Sequence, residues 1–442
     1  FTQGFEDYRD SLANSSWTQL CSQTGLSQDD FNRVAHRYAQ ANNAVFCWGM
    51  GITHHLHGVE NVEAISNLAL LRGMIGRRFS GLLPLRGHSN VQGIGTIGVK
   101  PVLAAEVLNA LETKLKVSLP KQTGLDTLAC LQQAANGNIK NALVMGGNLL
   151  EASPDTQWAE TAFNCIGFKL YLTTTLNRGH VRGIDQGEAI ILPVTARDEE
   201  WQPTTQESMF NYVRLSDGGI QRLLQPRPEV NILCDLAQRI IEDSAVDFTA
   251  FKTHAKIRQA IAAIIPGMEQ LADIDVAKKE FHISGRLLHQ PEFHTPSKRA
   301  QFITHTLADR RRSTIDYPFS LMSVRSEGQF NSIIYEEADS YRGNSHRWLL
   351  MMNRDDMAKL NLHENDRVTV QSVTGQLEQL WVTGFDLPPG NVMMYYPEAN
   401  ALIGLEVDPR SRTPAVKSIP VRIIASDSAV PYRQGYELLM PR

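Results

Sequence analysis

The sequence predicts an α/β core built on a mostly parallel sheet, followed by a smaller β-barrel-like domain. Three observations carry this. Short apolar runs without alternation recur through the first 300 residues, the pattern of strands buried on both faces. Segments with helical apolar spacing lie between them, as crossover connections require. Beyond about Pro318 the texture changes to alternating strands and close-set turns, as in a compact all-β unit.

The elements follow in order. The run Ala44-Val45-Phe46-Cys47-Trp48 is a strand ending in Gly49 and Gly51. Asn61 is placed to cap the next helix, with Glu63 in its first turn. Val62, Ile65, Leu68 and Leu71 form one apolar face of that helix, and Gly73 and Gly76 close it. Pro101 starts a second helix, Val102 to about Leu115. The runs Asn141–Met145, Lys169–Thr173 and Ala189–Leu192 are further strands, predicting a largely parallel sheet covered on both faces. Residues 229 to 267 read as helical, with Leu233, Leu236 and Ile240-Ile241 in one stripe. Residues 282 to 317, rich in His, Pro and Arg, read as a crossing segment. In the last part, Trp348–Met352, Arg367–Ser372, Gln379–Val382, Val392–Tyr396 and Val421–Ile424 are strands, with a turn at Thr374-Gly375. Alternation turns Val368 and Val370 inward and leaves Asn365-Asp366 in a turn. The expected organisation is a core over 1–300, a connection over 301–317 and a barrel over 318–442.

Composition excludes several function classes. Hydrophobic residues at 42% and charged residues at 20% describe a globular chain. No apolar stretch reaches the roughly 18 residues a spanning helix needs. With 43 basic and 47 acidic residues the net charge is -4, which gives no general attraction to nucleic acid or an anionic membrane. The local clusters Arg77-Arg78 and Arg310-Arg311-Arg312 read as solvated surface or carboxylate partners. Cys21, Cys47, Cys130, Cys165 and Cys234 are far apart and form no CxxC, which argues against a disulfide scaffold, structural zinc or an iron–sulfur cluster within this chain. That usage fits a reducing, cytoplasmic compartment. Cys47, between large apolar neighbours, is expected to be a packed core residue. The opening FTQGFEDYRDSL has no basic region followed by an apolar one, so it is not a signal peptide. The lack of an initiator Met points to a start inside a longer protein.

Ligands of parallel sheets gather beyond the carboxyl ends of the strands. Three loops rich in glycine and polar residues lie there, after Trp48, Met145 and Thr173. GMGITHHLHG and LRGHSNVQGIG are either a functional loop or simple turns, and neither matches a dinucleotide fingerprint or a Walker loop. His54, His55 and His57 are spaced so that their side chains diverge, which suits a polar anionic pocket or packing better than a metal. In Arg86-Gly87-His88, the guanidinium is a fixed cation suited to carboxylate or phosphate, and the imidazole can transfer a proton near neutrality. The alternative pairs Arg86 with a structural carboxylate. Asp155, after Gly146-Gly147-Asn148, accepts from a base or ribose hydroxyl, or caps a helix starting near Thr156. No hydrolase triad emerges.

The strings WGMGITHHLHGVENVEAISNLALLRGMIGR, LPLRGHSNVQG, VMGGNLLEASPDT, LPVTARDEE, QESMFNYVRLSDGG, RSEGQFNSIIYEEADSYRG, MNRDDMAKLNLHENDRVTVQS and PGNVMMYYPEANALIG with RTPAVKS follow one another in this chain. Together they resemble the molybdopterin oxidoreductase superfamily of the dimethyl sulfoxide reductase type, in its formate dehydrogenase-like alpha-subunit branch. The resemblance implies molybdenum or tungsten held by two pyranopterin guanine dinucleotides, and a C-terminal barrel of the double-psi kind. It implies two-electron redox of a small substrate, formate oxidation to carbon dioxide being the leading reaction. Another small oxyanion or an unassigned substrate, and a non-catalytic cofactor-binding or assembly role, remain alternatives. The chain resembles the later portion of such proteins. An iron–sulfur cluster and the metal-ligating residue would belong to the family's N-terminal region, and an electron-transfer subunit is a possible partner.

Carried over by resemblance, Arg86 takes the place of the arginine that orients formate, and His88 stands where those enzymes often have Gln. Gly49, Gly51 and Thr53 match a cofactor-contacting loop. Gly146, Asn148 and Asp155 match a guanine nucleotide site, and Thr174, Asn177 and His180 a second polar segment near the cofactor. Arg325, Ser326, Gln329, Asn331 and Arg342 match a loop that caps a pterin, and Asn400 and Lys417 match later cofactor contacts.

Overall fold

The protein is described here by a computed structural model covering residues 1–209, 211–284, 288, 290–306 and 313–426; the Arg310-Arg311-Arg312 cluster lies outside the described residues. Strand β1 (Val45–Trp48) pairs in parallel with β2 (Gly81–Pro84). Strands β3 (Asn141–Met145), β4 (Phe168–Thr173) and β5 (Glu188–Pro193) form a second parallel sheet in that order. The register sets Leu143 beside Leu170 and Leu170 beside Ile190. A hairpin of β6 (Thr204–Glu207) and β7 (Tyr212–Ser216), joined by β8 (Phe281–His282), forms an antiparallel sheet, and Thr2–Gln3 pairs in parallel with Ala300–Gln301.

The expected single sheet covered on both faces is therefore two small sheets, each with an incompletely covered face. The helix Glu229–Ile240 packs Leu233 and Leu236 against Leu170, Leu172 and Leu192 but does not reach β3, where Leu143 and Met145 stay exposed. Cys47 is exposed rather than packed, which corrects its core assignment. It shares a face of β1 with the exposed Val45, while Phe46 turns the other way onto Tyr38 with ring centroids 5.6 Å apart.

Three helix readings also change. The first helix runs Gly58–Leu71, so Asn61 is inside it and its amide donates to the Ile52 carbonyl. Its first turn is bonded from the barrel, where Asp408 Oδ2 accepts from the Val59 N–H at 3.1 Å. Its buried face carries Asn67, Ala69 and Leu70, and Leu68 and Leu71 are exposed. Asn67 turns inward because it pairs with both backbone groups of Ile303, at 2.7 and 3.1 Å. The second helix is Ala105–Leu115, leaving Pro101 outside it. Residues 229–267 hold two helices, Glu229–Ile240 and His254–Ile264, and Ile240 and Ile241 are exposed.

The C-terminal part is a closed six-stranded barrel. Its strands are β9 (Phe319–Val324), β10 (Leu349–Met352), β11 (Arg367–Gln371), β12 (Gln376–Gly384), β13 (Asn391–Tyr395) and β14 (Ile419–Ala425). The order around the barrel is β9-β13-β10-β12-β11-β14. Val368 and Val370 point into its core with Leu321, Leu350, Leu380 and Val392. Asn365 sits in the turn before β11.

Backbone bonds join the two parts. The Asp155 N–H donates to the carbonyls of Asn400 and Ile403, and the Lys417 N–H donates to the His54 carbonyl. No helix among the described residues is long and apolar enough to cross a membrane.

Candidate functional site

A cleft of roughly 580 Å³ opens where the loops after β1 and β2 face the barrel. Trp48, Gly49, Met50, Thr53, Arg86 and His88 line one side, and Arg325, Gln329 and Phe330 the other. The Leu85 N–H donates to the Trp48 carbonyl at 2.8 Å, which ties the two loops together. The Arg86 N–H reaches the Met209 sulfur at 3.4 Å, and Asn90 Oδ1 accepts from the Glu207 N–H at 3.0 Å. The β6–β7 hairpin thus braces the Arg86–His88 loop from behind. His88 meets Phe330 edge-on, with centroids 5.8 Å apart.

The barrel side is strongly cationic. The Arg325 guanidinium lies 5.3 Å from the Tyr396 ring centroid and donates to Asn331 Oδ1, which also accepts from the Tyr396 hydroxyl. Arg342 donates to the Arg325 carbonyl and pairs with the buried Asp339 at 2.6 Å. The Lys417 ammonium donates to the Ser323 carbonyl. Burial, then Arg325 and Arg342, push Lys417 down to about 8. Burial, then Lys417, Arg325 and His55, hold His54 down to about 4. Among the described residues, Arg86, Arg325 and Lys417 have no carboxylate within ion-pair distance. Arg86 and Arg325 line the cleft itself, and cations without carboxylate partners there fit an anionic ligand.

The three histidines of the first loop diverge. His55 Nε2 contacts the Gly51 carbonyl at 2.9 Å, His57 Nδ1 lies 3.5 Å from Glu60, and the His54 carbonyl accepts from the Lys417 N–H.

The second set of expected ligand residues is occupied by its own backbone. Asn148 caps the turn Leu149–Ala152, and its amide donates to Glu151. Asp155 caps the helix Thr156–Asn164 by accepting from the Trp158 N–H at 3.1 Å, which matches the capping alternative. The Asn177 amide donates to the Gly147 carbonyl, and buried His180 accepts the Asn177 N–H on Nδ1. The Asn400 amide donates to the Glu151 carbonyl, so this residue staples the barrel to the α/β part. Its Oδ1 is buried without a hydrogen-bond partner among the described residues. Open positions remain at exposed Thr174 and at Gly146-Gly147, both at positive φ with nothing within 4 Å of an added Cβ. Sequence reasoning missed Met50, Met209, Phe330, Tyr396 and Arg347. The strings Gln329-Phe330 and Tyr395-Tyr396-Pro397 carried the available signal, aromatic residues set among polar turn residues.

Lys417 gives the site a testable pH dependence. Its folded value of about 8 lies below the ordinary 10.5, so the unfolded chain binds the proton first as pH falls. Stability from this group therefore rises with pH across that window, and its full cost is present below about 8. An anion beside Lys417 favours the charged form and takes up a proton above that pH. Sulfate is expected to bind up to about tenfold more tightly at pH 7 than at pH 9, measured by calorimetry. Lys417→Met should remove the difference. Equal affinities at the two pH values in the unsubstituted protein would exclude Lys417 from the anion site.

Residues 19–180 match the family described as Molybdopterin oxidoreductase, and residues 319–420 the one described as Molydopterin dinucleotide binding domain. An uncharacterized oxidoreductase of Mycobacterium tuberculosis (strain ATCC 25618 / H37Rv) is 31% identical over 443 residues, covering 95% of this chain and 56% of that protein. Protein YdeP of Escherichia coli (strain K12) is 30% identical over 447 residues, 96% of this chain and 58% of its own length. Formate dehydrogenase H of Escherichia coli (strain K12) is 25% identical over 464 residues, 96% of this chain and 61% of its own. Acetylene hydratase from Pelobacter acetylenicus superposes with a TM-score of 0.70 over 96% of this chain and 67% of that one, at 13% identity, a likeness of fold alone. The chain spans a little over half the length of the curated relatives it matches.

Proposed function

The chain belongs to the molybdopterin oxidoreductase superfamily, and from that premise we propose that it serves a molybdenum or tungsten bis(pyranopterin guanine dinucleotide) enzyme acting on a small anion, formate foremost. The observation that carries this is the cleft in which Arg86 and Arg325 face one ligand volume with no carboxylate partner among the described residues, the buried Lys417 adding charge near Arg325. When bound, the cofactor supplies the two-electron redox chemistry, and formate leaves as carbon dioxide, a proton and two electrons.

The chain's own residues supply binding and orientation. Arg86 offers a planar donor fork to a carboxylate, and its loop is held by the β6–β7 hairpin. His88 is the proton acceptor within the same loop, with Phe330 walling its ring from one side. Arg325, Gln329, Arg342 and Lys417 face the pterin and pyrophosphate, and Asn331 and Ser326 hold that loop in shape. At the other loop, the backbone of Gly146-Gly147 and the exposed Thr174 meet the nucleotide. Asn148, Asp155, Asn177 and His180 fix the loop's conformation, and Asn400 fixes the barrel against it. The parallel pairs β9 with β13 and β10 with β12 support a barrel of the double-psi kind. We assign the core to 1–300, the connection to 301–317 and the barrel to 318–442, of which 307–312 and 427–442 lie outside the described residues. Electrons pass to an iron–sulfur cluster outside this chain's residues or on a partner subunit, in the cytoplasm. His88 in place of Gln favours a second reading, in which another small oxyanion is the substrate.

Elemental analysis with acid release of nucleotide tests the reading. Full-length protein produced with cofactor supply is expected to contain molybdenum or tungsten and to release GMP. Neither metal nor GMP would leave a non-catalytic role.

A further inference from the structure

Arg347 stands just before β10 and is 2% exposed. Its Nε and Nη2 donate to the two carboxylate oxygens of Glu398, at 2.6 and 3.0 Å. Nη2 also donates to the Tyr396 carbonyl at 2.7 Å, and Nη1 to Ser326 Oγ at 2.5 Å. The guanidinium lies 4.8 Å from the Tyr395 ring centroid. These partners come from two separate stretches. Ser326 opens the loop to Asn331, and Tyr396 and Glu398 follow β13.

Both stretches lead to the cleft. Gln329 Oε1 accepts from the Ser326 N–H, and its amide donates to the same Tyr396 carbonyl at 2.6 Å. The Tyr396 ring carries Arg325. Arg347 does not line the cleft, yet Arg325 and Gln329, which do, each rest on one of its partners. We infer that Arg347 is a positioning residue that fixes Arg325 and Gln329 across the cleft from Arg86, an inference that rests on the cleft being the ligand site proposed above. A lysine is a point charge with no planar fork, so it cannot hold the carboxylate, the carbonyl and the hydroxyl in one plane. Truncation alone would strand Glu398, with Glu337 as its nearby acidic neighbour.

The test uses Arg347→Lys in the full-length protein, and Arg347→Met combined with Glu398→Gln, which removes the charge pair together should the single variant fail to fold. Hydrogen exchange at residues 325–331 and 395–400 is expected to rise about tenfold or more, with β10 and β11 amides unchanged. Sulfate affinity at pH 7 is expected to fall about tenfold while the thermal midpoint moves little, a split that general loosening would not produce. Unchanged exchange in both stretches overturns the inference. So does exchange rising equally through β10 and β11, which would make Arg347 an ordinary stability residue. Failure of the cofactor reading is visible separately, as missing metal and GMP with the exchange result intact.

Discussion

Arg86→Ala in the full-length, cofactor-loaded protein is expected to lose roughly 30- to several-thousand-fold in kcat/KM, while retaining metal and dinucleotide. Arg86 lines the cleft and has no carboxylate partner among the described residues. The structural-carboxylate alternative for this side chain therefore finds no support in the geometry. A bound anion would be the guanidinium's first charge partner; Arg86 is exposed, so the desolvation of the pair would come from the bound cofactor and substrate filling the cleft. Removing one of two desolvated, hydrogen-bonded charges costs the full penalty of the other. The loop itself should survive, because its braces are the Arg86 N–H on Met209 and Asn90 on the Glu207 N–H, neither of which uses the Arg86 side chain. His88→Gln is the companion variant. It removes the imidazole beside Phe330 that we propose as proton acceptor, and should lower formate turnover while leaving metal and dinucleotide in place. Normal turnover by loaded Arg86→Ala, on whichever substrate the unsubstituted protein uses, would make Arg86 structural.

The runs Asn141–Met145 and Lys169–Thr173 were legible as strands because their cores, Ala142–Met145 and Leu170–Leu172, are short apolar runs without helical spacing. Alternation did the same for β11, whose Val368 and Val370 are both fully buried. The inward face of Gly58–Leu71 was not legible, because Asn67 is drawn inside by Ile303, more than two hundred residues away. Cys47 failed for a related reason: an apolar run states that a strand is buried somewhere, not that both of its faces are covered. Strand β9, with Ser320 and Ser323 in it, lacked the apolar signature of its partners.

The candidate site divides along the same line. Arg86 and His88 stood out because a guanidinium and an imidazole flanking a glycine in a turn have little structural reason to be there, whereas Arg325 entered only through the family resemblance. Asn148, Asp155, Asn177 and His180 looked equally functional. Short polar side chains at loop–helix junctions serve the backbone as readily as a ligand, and capping geometry alone separates the two. Arg347 was invisible, since its partners Ser326, Tyr396 and Glu398 lie 21 to 51 positions away.

Lys169→Met is expected to remove about 2–4 kcal/mol from the β3-β4-β5 sheet and leave the barrel untouched. Lys169 is the second residue of β4 and is fully buried. Its ammonium donates to three carbonyls, Phe163 and Gln186 at 3.1 Å and Ile166 at 2.7 Å. Two of these lie at or just past the end of the helix Thr156–Asn164, where carbonyls lack helical partners and the dipole favours a cation. The third belongs to the turn before β5. One side chain therefore satisfies the helix end and the strand entry together. Burial pushes its pKa down, with Asp185 and Cys165 opposing, so the charge itself is costly there. Methionine fills similar volume and removes that cost, which keeps the loss below the sum of three stranded acceptors. Hydrogen exchange resolves the effect better than a global melt, because a chain with separate α/β and barrel parts need not unfold in one step. Faster exchange is expected in β4, β5 and Thr156–Asn164, with β10 and β11 as internal controls. Unchanged exchange in β4 would mean the three carbonyls find other donors. A loss confined to this sheet would loosen the platform carrying Gly146-Gly147 and Thr174 and weaken nucleotide retention, while Arg86 and the cleft stayed in place.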